Sequence, residues 1–232
     1  MIRDAARRAG IRDATNRPSI RRWAGAAALL ASLTGCGSND TFPPLIDVED
    51  GIRLGWEAFE RADYGRAEAM FVATLRTDGR SAEARRGLGW SRAYVGDLDG
   101  ASANFEAALT LETGHVDALA GLAAVEHARG EWDAAIGRAR EALARDASWT
   151  FAHREGVDAE DLRLLVAQAS ALSGPALYDD AQSELDLLDP ANGLDPAVAA
   201  TWCVDGETYG TYREALFAAI ELVEHRVGAA LP

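Results

Sequence analysis

Apolar and small residues recur at helical spacing between residues 48 and 149, and the whole pattern then repeats every 34 positions. Leu54, Leu88 and Leu122 share one column, and Gly55, Gly89 and Ala123 the next. Ala67, Ala101 and Ala135 recur, followed by Phe71, Phe105 and Ala139, then Leu75, Leu109 and Leu143. Between the two apolar stretches of each copy stand Ala62, Gly96 and Gly130, followed by Asp63, Asp97 and Glu131. Glycine ends helices and aspartate caps them, so each copy predicts two antiparallel helices joined by a tight turn. In the second copy the helices run from about Ala82 to Val95 and from about Asp99 to Leu111. The frame predicts three units, 48–81, 82–115 and 116–149. One unit cannot bury its own apolar face, whereas stacked units share a continuous core.

Beyond Trp149 the period breaks. Asp158 precedes a predicted helix from Ala159 to Leu172, with Leu162, Leu165, Val166, Ala169 and Leu172 on one face. Gly174-Pro175 turns the chain, and Tyr178-Asp179-Asp180-Ala181 opens a helix ending near Leu188. This pair reads as a degenerate fourth repeat. Asp189-Pro190 and Asn192-Gly193 mark a loop, a short helix is expected from Pro196 to Cys203, and Asp205-Gly206 makes another break. Thr211 with Glu214 forms a capping box for a last helix, Tyr212 to Val227, striped by Leu216, Phe217, Ile220, Val223 and Val227. Residues 150–232 are therefore expected to be a degenerate repeat plus helices that cap the open end of the stack. No segment shows strand alternation.

A 34-residue period with Leu-Gly, then Gly-Asp, then Ala-x3-Phe resembles the tetratricopeptide repeat (TPR) over about 100 residues. Gly79, Thr113 and Ala147 stand where that family has a helix-ending proline. The resemblance implies an all-α, right-handed helical-repeat solenoid whose concave face is lined by the second, fifth, ninth and twelfth positions of each first helix. Those positions are Glu49, Ile52, Trp56 and Phe59, then Glu83, Arg86, Trp90 and Ala93, then Asp117, Ala120, Ala124 and His127. Trp56 and Trp90 share one inward column. With Ile52, Phe59 and Tyr94 beside them and Arg86 and His127 as polar handles, they form the candidate groove. Its implied occupant is an extended or helical segment of a protein partner, with Arg86 pairing an acidic group. In the other reading the C-terminal helices fold back over these rings. Trp132 shares a packing column with Tyr64 and Leu98.

The N-terminus reads as an address. Met1–Arg22 is arginine-rich, Trp23–Leu33 is an eleven-residue apolar run, and Leu33-Thr34-Gly35-Cys36 follows. This is the plan of a secretory signal. A membrane-spanning helix needs about 20 apolar residues, more than this run supplies. The ending resembles the lipobox of bacterial lipoproteins. That implies cleavage of residues 1–35, lipidation of Cys36, and a lipid anchor on the periplasmic side of the cell envelope. Gly37, rather than aspartate, after the cysteine implies the outer membrane. Residues 36–47, with polar Gly37–Asn39 and Pro43-Pro44, read as a tether. Cys203, beside Trp202, is expected to be a buried, inert thiol.

The formal net charge is −14, and lysine is absent. Seven arginines against two aspartates make residues 1–35 basic, so the remainder is more acidic still. Such a body repels nucleic acid, which excludes DNA and RNA as partners. No phosphate loop, nucleophile elbow or metalloprotease motif occurs. Asp97-Leu98-Asp99-Gly100 resembles the start of a calcium loop, but Ala108 stands where the bidentate glutamate belongs. His153, Glu155, Asp158, Glu160 and Asp161 cluster at the break in the period. They read either as a metal or acid–base site or as acidic residues favouring a helix N-terminus. The chain is expected to be no enzyme and to need no cofactor or metal. The expected function is protein–protein binding by an envelope lipoprotein, as scaffold or assembly factor. The second reading is a glycan- or small-molecule-binding lipoprotein of an uptake system, its tryptophans stacking on sugar rings.

Overall fold

Helices begin at Val48, Ala82 and Val116, and their partners at Tyr64, Leu98 and Trp132, so the 34-residue frame of the sequence is the frame of the structure. The computed structural model describes residues 46–229. The signal segment, Cys36 and most of the tether lie outside the described residues. The three units comprise α1 (Val48–Glu60) and α2 (Tyr64–Thr77), α3 (Ala82–Val95) and α4 (Leu98–Leu111), and α5 (Val116–Arg129) and α6 (Trp132–Arg145). The carboxylates of Asp47, Asp63 and Asp97 accept backbone N–H bonds at the starts of α1, α2 and α4. Ser81 does the same for α3. Gly96 and Gly130 end α3 and α5 in the left-handed conformation, with φ of 85° and 78°. The first unit has Ala62 in that column, and its backbone still turns left-handed, at φ 59°.

Two phenylalanines wedge the units together. Phe71 of α2 fills the space left by Gly55 in its own unit and Gly87 in the next, so a methyl group added at either glycine would lie within 3 Å of its ring. Phe105 repeats the arrangement against Gly89 and Gly121. Both rings are fully buried. In the third unit Ala139 replaces the phenylalanine and Ala123 the matching glycine, so the aromatic wedge is absent there. The core of the array runs unbroken from Trp56 through Leu88, Leu122 and Ile136 to Leu162 and Val166.

Helices α7 (Ala159–Ser173) and α8 (Tyr178–Leu188) continue the stack, and α9 (Tyr212–Ala229) packs across them. Leu216, Ala219, Ile220 and Val223 of α9 bury themselves against Leu164, Ala167, Ala171 and Leu185. The capping box predicted for α9 is present: Glu214 N donates to Thr211 Oγ1 at 3.2 Å, and Thr211 N donates to Glu214 Oε2 at 3.1 Å. The helix expected at Pro196–Cys203 is a single 3₁₀ turn, Ala199–Thr201. A two-stranded hairpin follows, β1 (Cys203–Val204) with β2 (Glu207–Thr208). Its turn is Asp205-Gly206, both with positive φ, which is the pair a tight antiparallel hairpin favours. Cys203 lies on this hairpin and is exposed, not the buried thiol expected.

Candidate functional site

The connection between units takes four residues at 78–81 and 112–115, but residues 146–158 separate α6 from α7. Residues 146–149 occupy the ordinary connection columns, which leaves Thr150–Asp158 as an insertion ahead of the fourth pair. It folds into a hairpin-like finger. Thr150 and Asp158 form an antiparallel bridge at its base. Phe151 N donates to Val157 O at 2.8 Å, and Ala159 N donates to Trp149 O at 2.8 Å. Asp158 also caps α7, accepting from Glu160 N at 2.8 Å, while Asp161 accepts from Asp158 N at 3.2 Å.

The finger lies across the first helices of the units, on the residues expected to line the groove. The Phe151 ring stacks on Trp90 with centroids 4.5 Å apart and meets Trp56 and Phe59 edge-on at 6.0 and 5.9 Å. His153 stacks on Trp56, and its Nδ1 is 3.0 Å from Glu60 Oε1. The guanidinium of Arg154 sits 4.7 Å from the Tyr94 ring centre, and its Nη1 donates to Tyr64 Oη at 2.8 Å. Tyr64 and Tyr94 stack on each other at 5.0 Å. Burial pushes the Tyr94 phenol above its ordinary pKa.

Trp56, Phe59, Trp90 and Tyr94 thus gather on one surface, with Ile52 packed half-buried beside them, as their columns require. The groove is not open. Trp56 is 5% exposed and Trp90 0%, and the cover is the finger rather than the C-terminal helices. Arg86 is also occupied: it pairs with Glu83 and, at 3.5 Å, with Asp117, and it contacts His115. Its acidic partners are therefore residues of its own chain. The two carboxylates anchor the indoles as well. Trp56 Nε1 donates to Glu83 Oε1 and Trp149 Nε1 to Asp117 Oδ1, each at 2.6 Å. This chain of polar links crosses all three units. His115, desolvated and close to the Arg86 charge, has its pKa lowered and is held neutral, so it accepts from the guanidinium.

His127 stands in the column of Phe59, two units further along. It packs edge-on against Trp132, 5.0 Å away within the third unit, and burial pushes its pKa down to about 4. The cluster read at residues 153–161 is dispersed, because His153 turns to α1, Glu155 is exposed and the two aspartates serve the start of α7. Among the described residues no three His, Cys, Asp or Glu side chains are placed to hold a metal ion. No described helix is long and apolar enough to cross a membrane. Phe151 and Arg154 escaped the sequence reading, and His153 entered it only as a member of a metal or acid–base cluster. Their signal was an aromatic–basic run placed where the period fails.

No family model and no curated protein sequence matches this chain. Solved structures do. YrrB, a TPR protein with an unusual peptide-binding site, superposes with a TM-score of 0.56 at 18% identity, covering 79% of this chain and 91% of that one. MamA gives a TM-score of 0.51 at 21% identity, over 60% of this chain and 70% of its own. A Thermobaculum terrenum O-GlcNAc transferase mutant gives a TM-score of 0.51 at 20% identity, over 69% of this chain but 29% of the transferase. At these identities the likeness concerns architecture, and it agrees with the 34-residue units and their paired helices: the chain has the tetratricopeptide-repeat fold.

Proposed function

We propose that this chain is a protein-binding module that works through the concave face of its repeat array. The observation that carries this reading is the seating of Phe151, His153 and Arg154. A polypeptide segment rests on that face, held by ring stacking and by polar contacts of its side chains with Glu60 and Tyr64. Aromatic and arginine contacts of this kind dominate the energetics of protein interfaces. The peptide-binding site of YrrB is a precedent on the same fold. The uptake reading is less well supported, because the indole faces that a sugar ring would use carry His153 and Phe151.

We further propose that the module is a lipoprotein anchored on the periplasmic side of the envelope, in the outer membrane, where it serves as scaffold or assembly factor. This rests on the apolar run ending in Leu33-Thr34-Gly35-Cys36. Fractionation of cells carrying Cys36→Ser tests the anchor. The variant should leave the membrane pellet after a salt wash, and its retention there would refute the lipoprotein reading. Photo-crosslinking in intact cells, from probes placed along α1, α3 and α5, tests the binding role. Adducts with a discrete protein are expected, and a chain that crosslinks to no protein would refute it.

A further inference from the structure

The finger has the attributes of a bound peptide. Its backbone hydrogen bonds close on the finger itself and on its base: Phe151 with Val157, Arg154 with Phe151, and Ala159 with Trp149. Its hold on the array comes from the side chains of Phe151, His153 and Arg154, with Val157 packed half-buried against the core. The array does not need it for register. Helices α1 to α6 keep their 34-residue frame, and the wedges of Phe71 and Phe105 between units lie on glycines outside the finger's contacts. A segment tied at its base and held by side chains can leave as a unit without unpairing any helix.

We propose that Thr150–Asp158 is a resident internal ligand, and that the face beneath it is a recognition site for a partner segment of the same chemistry. That chemistry is an aromatic residue followed, two and three positions later, by histidine or another cationic side chain. The aromatic ring enters the pocket formed by Trp56, Phe59 and Trp90. The first basic group stacks on Trp56 and pairs with Glu60, and the second lies over Tyr94 and reaches Tyr64 Oη. The charge favours this occupant, since Glu60, Glu83 and Asp117 border the site and the chain carries a net −14. A partner binds by supplying the contacts that the finger gives up, so the free protein is self-blocked and selective. The inference rests on the protein-binding reading above and specifies its ligand.

The test uses a fluorescent synthetic peptide of residues 147–159 and the full chain, alongside a variant lacking residues 149–157. That deletion joins Ser148 to Asp158, restores the 34-residue register and keeps the cap of α7. The deletion variant should bind the peptide at least tenfold more tightly than the intact chain does. Peptides carrying Phe151→Ala or Arg154→Ala should lose tenfold or more. A folded deletion variant that ignores the peptide overturns the proposal. If the deletion does not fold, the full chain carrying Phe151→Ala with Arg154→Ala replaces it. Its loosened finger must admit the unmodified peptide. Exclusion of the peptide, or collapse of both variants, makes the finger an integral part of the core and overturns the proposal. Peptide binding without any protein adduct in cells would leave the site standing and refute the wider reading.

Discussion

The indole of Trp56 and the imidazole of His153 lie face to face, with ring centres 3.7 Å apart and planes 3° from parallel. Trp56 belongs to the first unit and His153 to the connection after the third, so the stack joins parts of the array that stacking alone keeps apart. In a simple solenoid each unit touches only its neighbours, and stability is a sum of local terms. The finger adds a long-range clasp, reinforced where Phe151 meets Trp90 and Arg154 meets Tyr64.

Trp90 is consequently a core residue. It is 0% exposed, enclosed by Phe105, Tyr94 and Phe151. Trp90→Ala should cost about 3–5 kcal/mol of stability. Chemical denaturation measures this, and a loss below about 1 kcal/mol would mean that the indole is free in solution.

The wedge between units predicts a sensitivity to small additions. Gly87→Ala or Gly121→Ala drives a methyl group into the ring of Phe71 or Phe105, and overpacking of this kind costs about 1–3 kcal/mol. Pairing Gly87→Ala with Phe71→Leu should recover part of the loss, because the smaller side chain leaves room for the added methyl. Additive losses in the pair would refute the wedge.

Ala62 adopts a left-handed turn that favours glycine, and its counterparts are Gly96 and Gly130. An alanine there is strained by about 1–2 kcal/mol, part of which the extra chain entropy of glycine offsets. Ala62→Gly should therefore stabilise the protein by about 0.5–1 kcal/mol, and Gly96→Ala should destabilise it. Thermal melting of the two variants gives the signs.

Much of this was legible in the sequence, and the reason is periodicity. Columns such as Leu54, Leu88 and Leu122 repeat a local rule, so helix starts, turns and the inward tryptophan column followed from one frame. The failures have a different physical origin. Pro196–Cys203 is alanine-rich and reads as helix, yet the Asp205-Gly206 pair after it sets a hairpin that holds Cys203 in a strand. His127 occupies an inward column, but it is buried against Trp132 and is no exposed polar handle. What covers Trp56 and Trp90 was hidden because the contact is non-local. Residues 151–154 carry no repeat signal, and only the folded array brings them to the first unit.

His127 sets a pH dependence. Its folded pKa of about 4 lies below the ordinary 6.5, so between those values the unfolded chain binds the proton and the folded chain does not. Stability is then complete above about pH 6.5 and falls as the pH drops toward 4, by about 3 kcal/mol from this group. His115, also lowered, acts in the same direction. Unfolding free energies measured from pH 7 to pH 4 should decline more steeply for the native chain than for His127→Leu. Parallel curves would show that the ring titrates normally.

The central claim is that the finger rests on the inner face of the array, and a double-mutant cycle between Phe151 and Trp90 tests it most directly. Stacked aromatic pairs in contact couple by about 0.5–1.5 kcal/mol, whereas distant sites add to within about 0.5 kcal/mol. Denaturant unfolding of the native chain, Phe151→Ala, Trp90→Ala and the double variant should give a coupling near 1 kcal/mol, the double variant losing less than the sum of the single ones. Strict additivity would place Phe151 away from Trp90 and contradict the account.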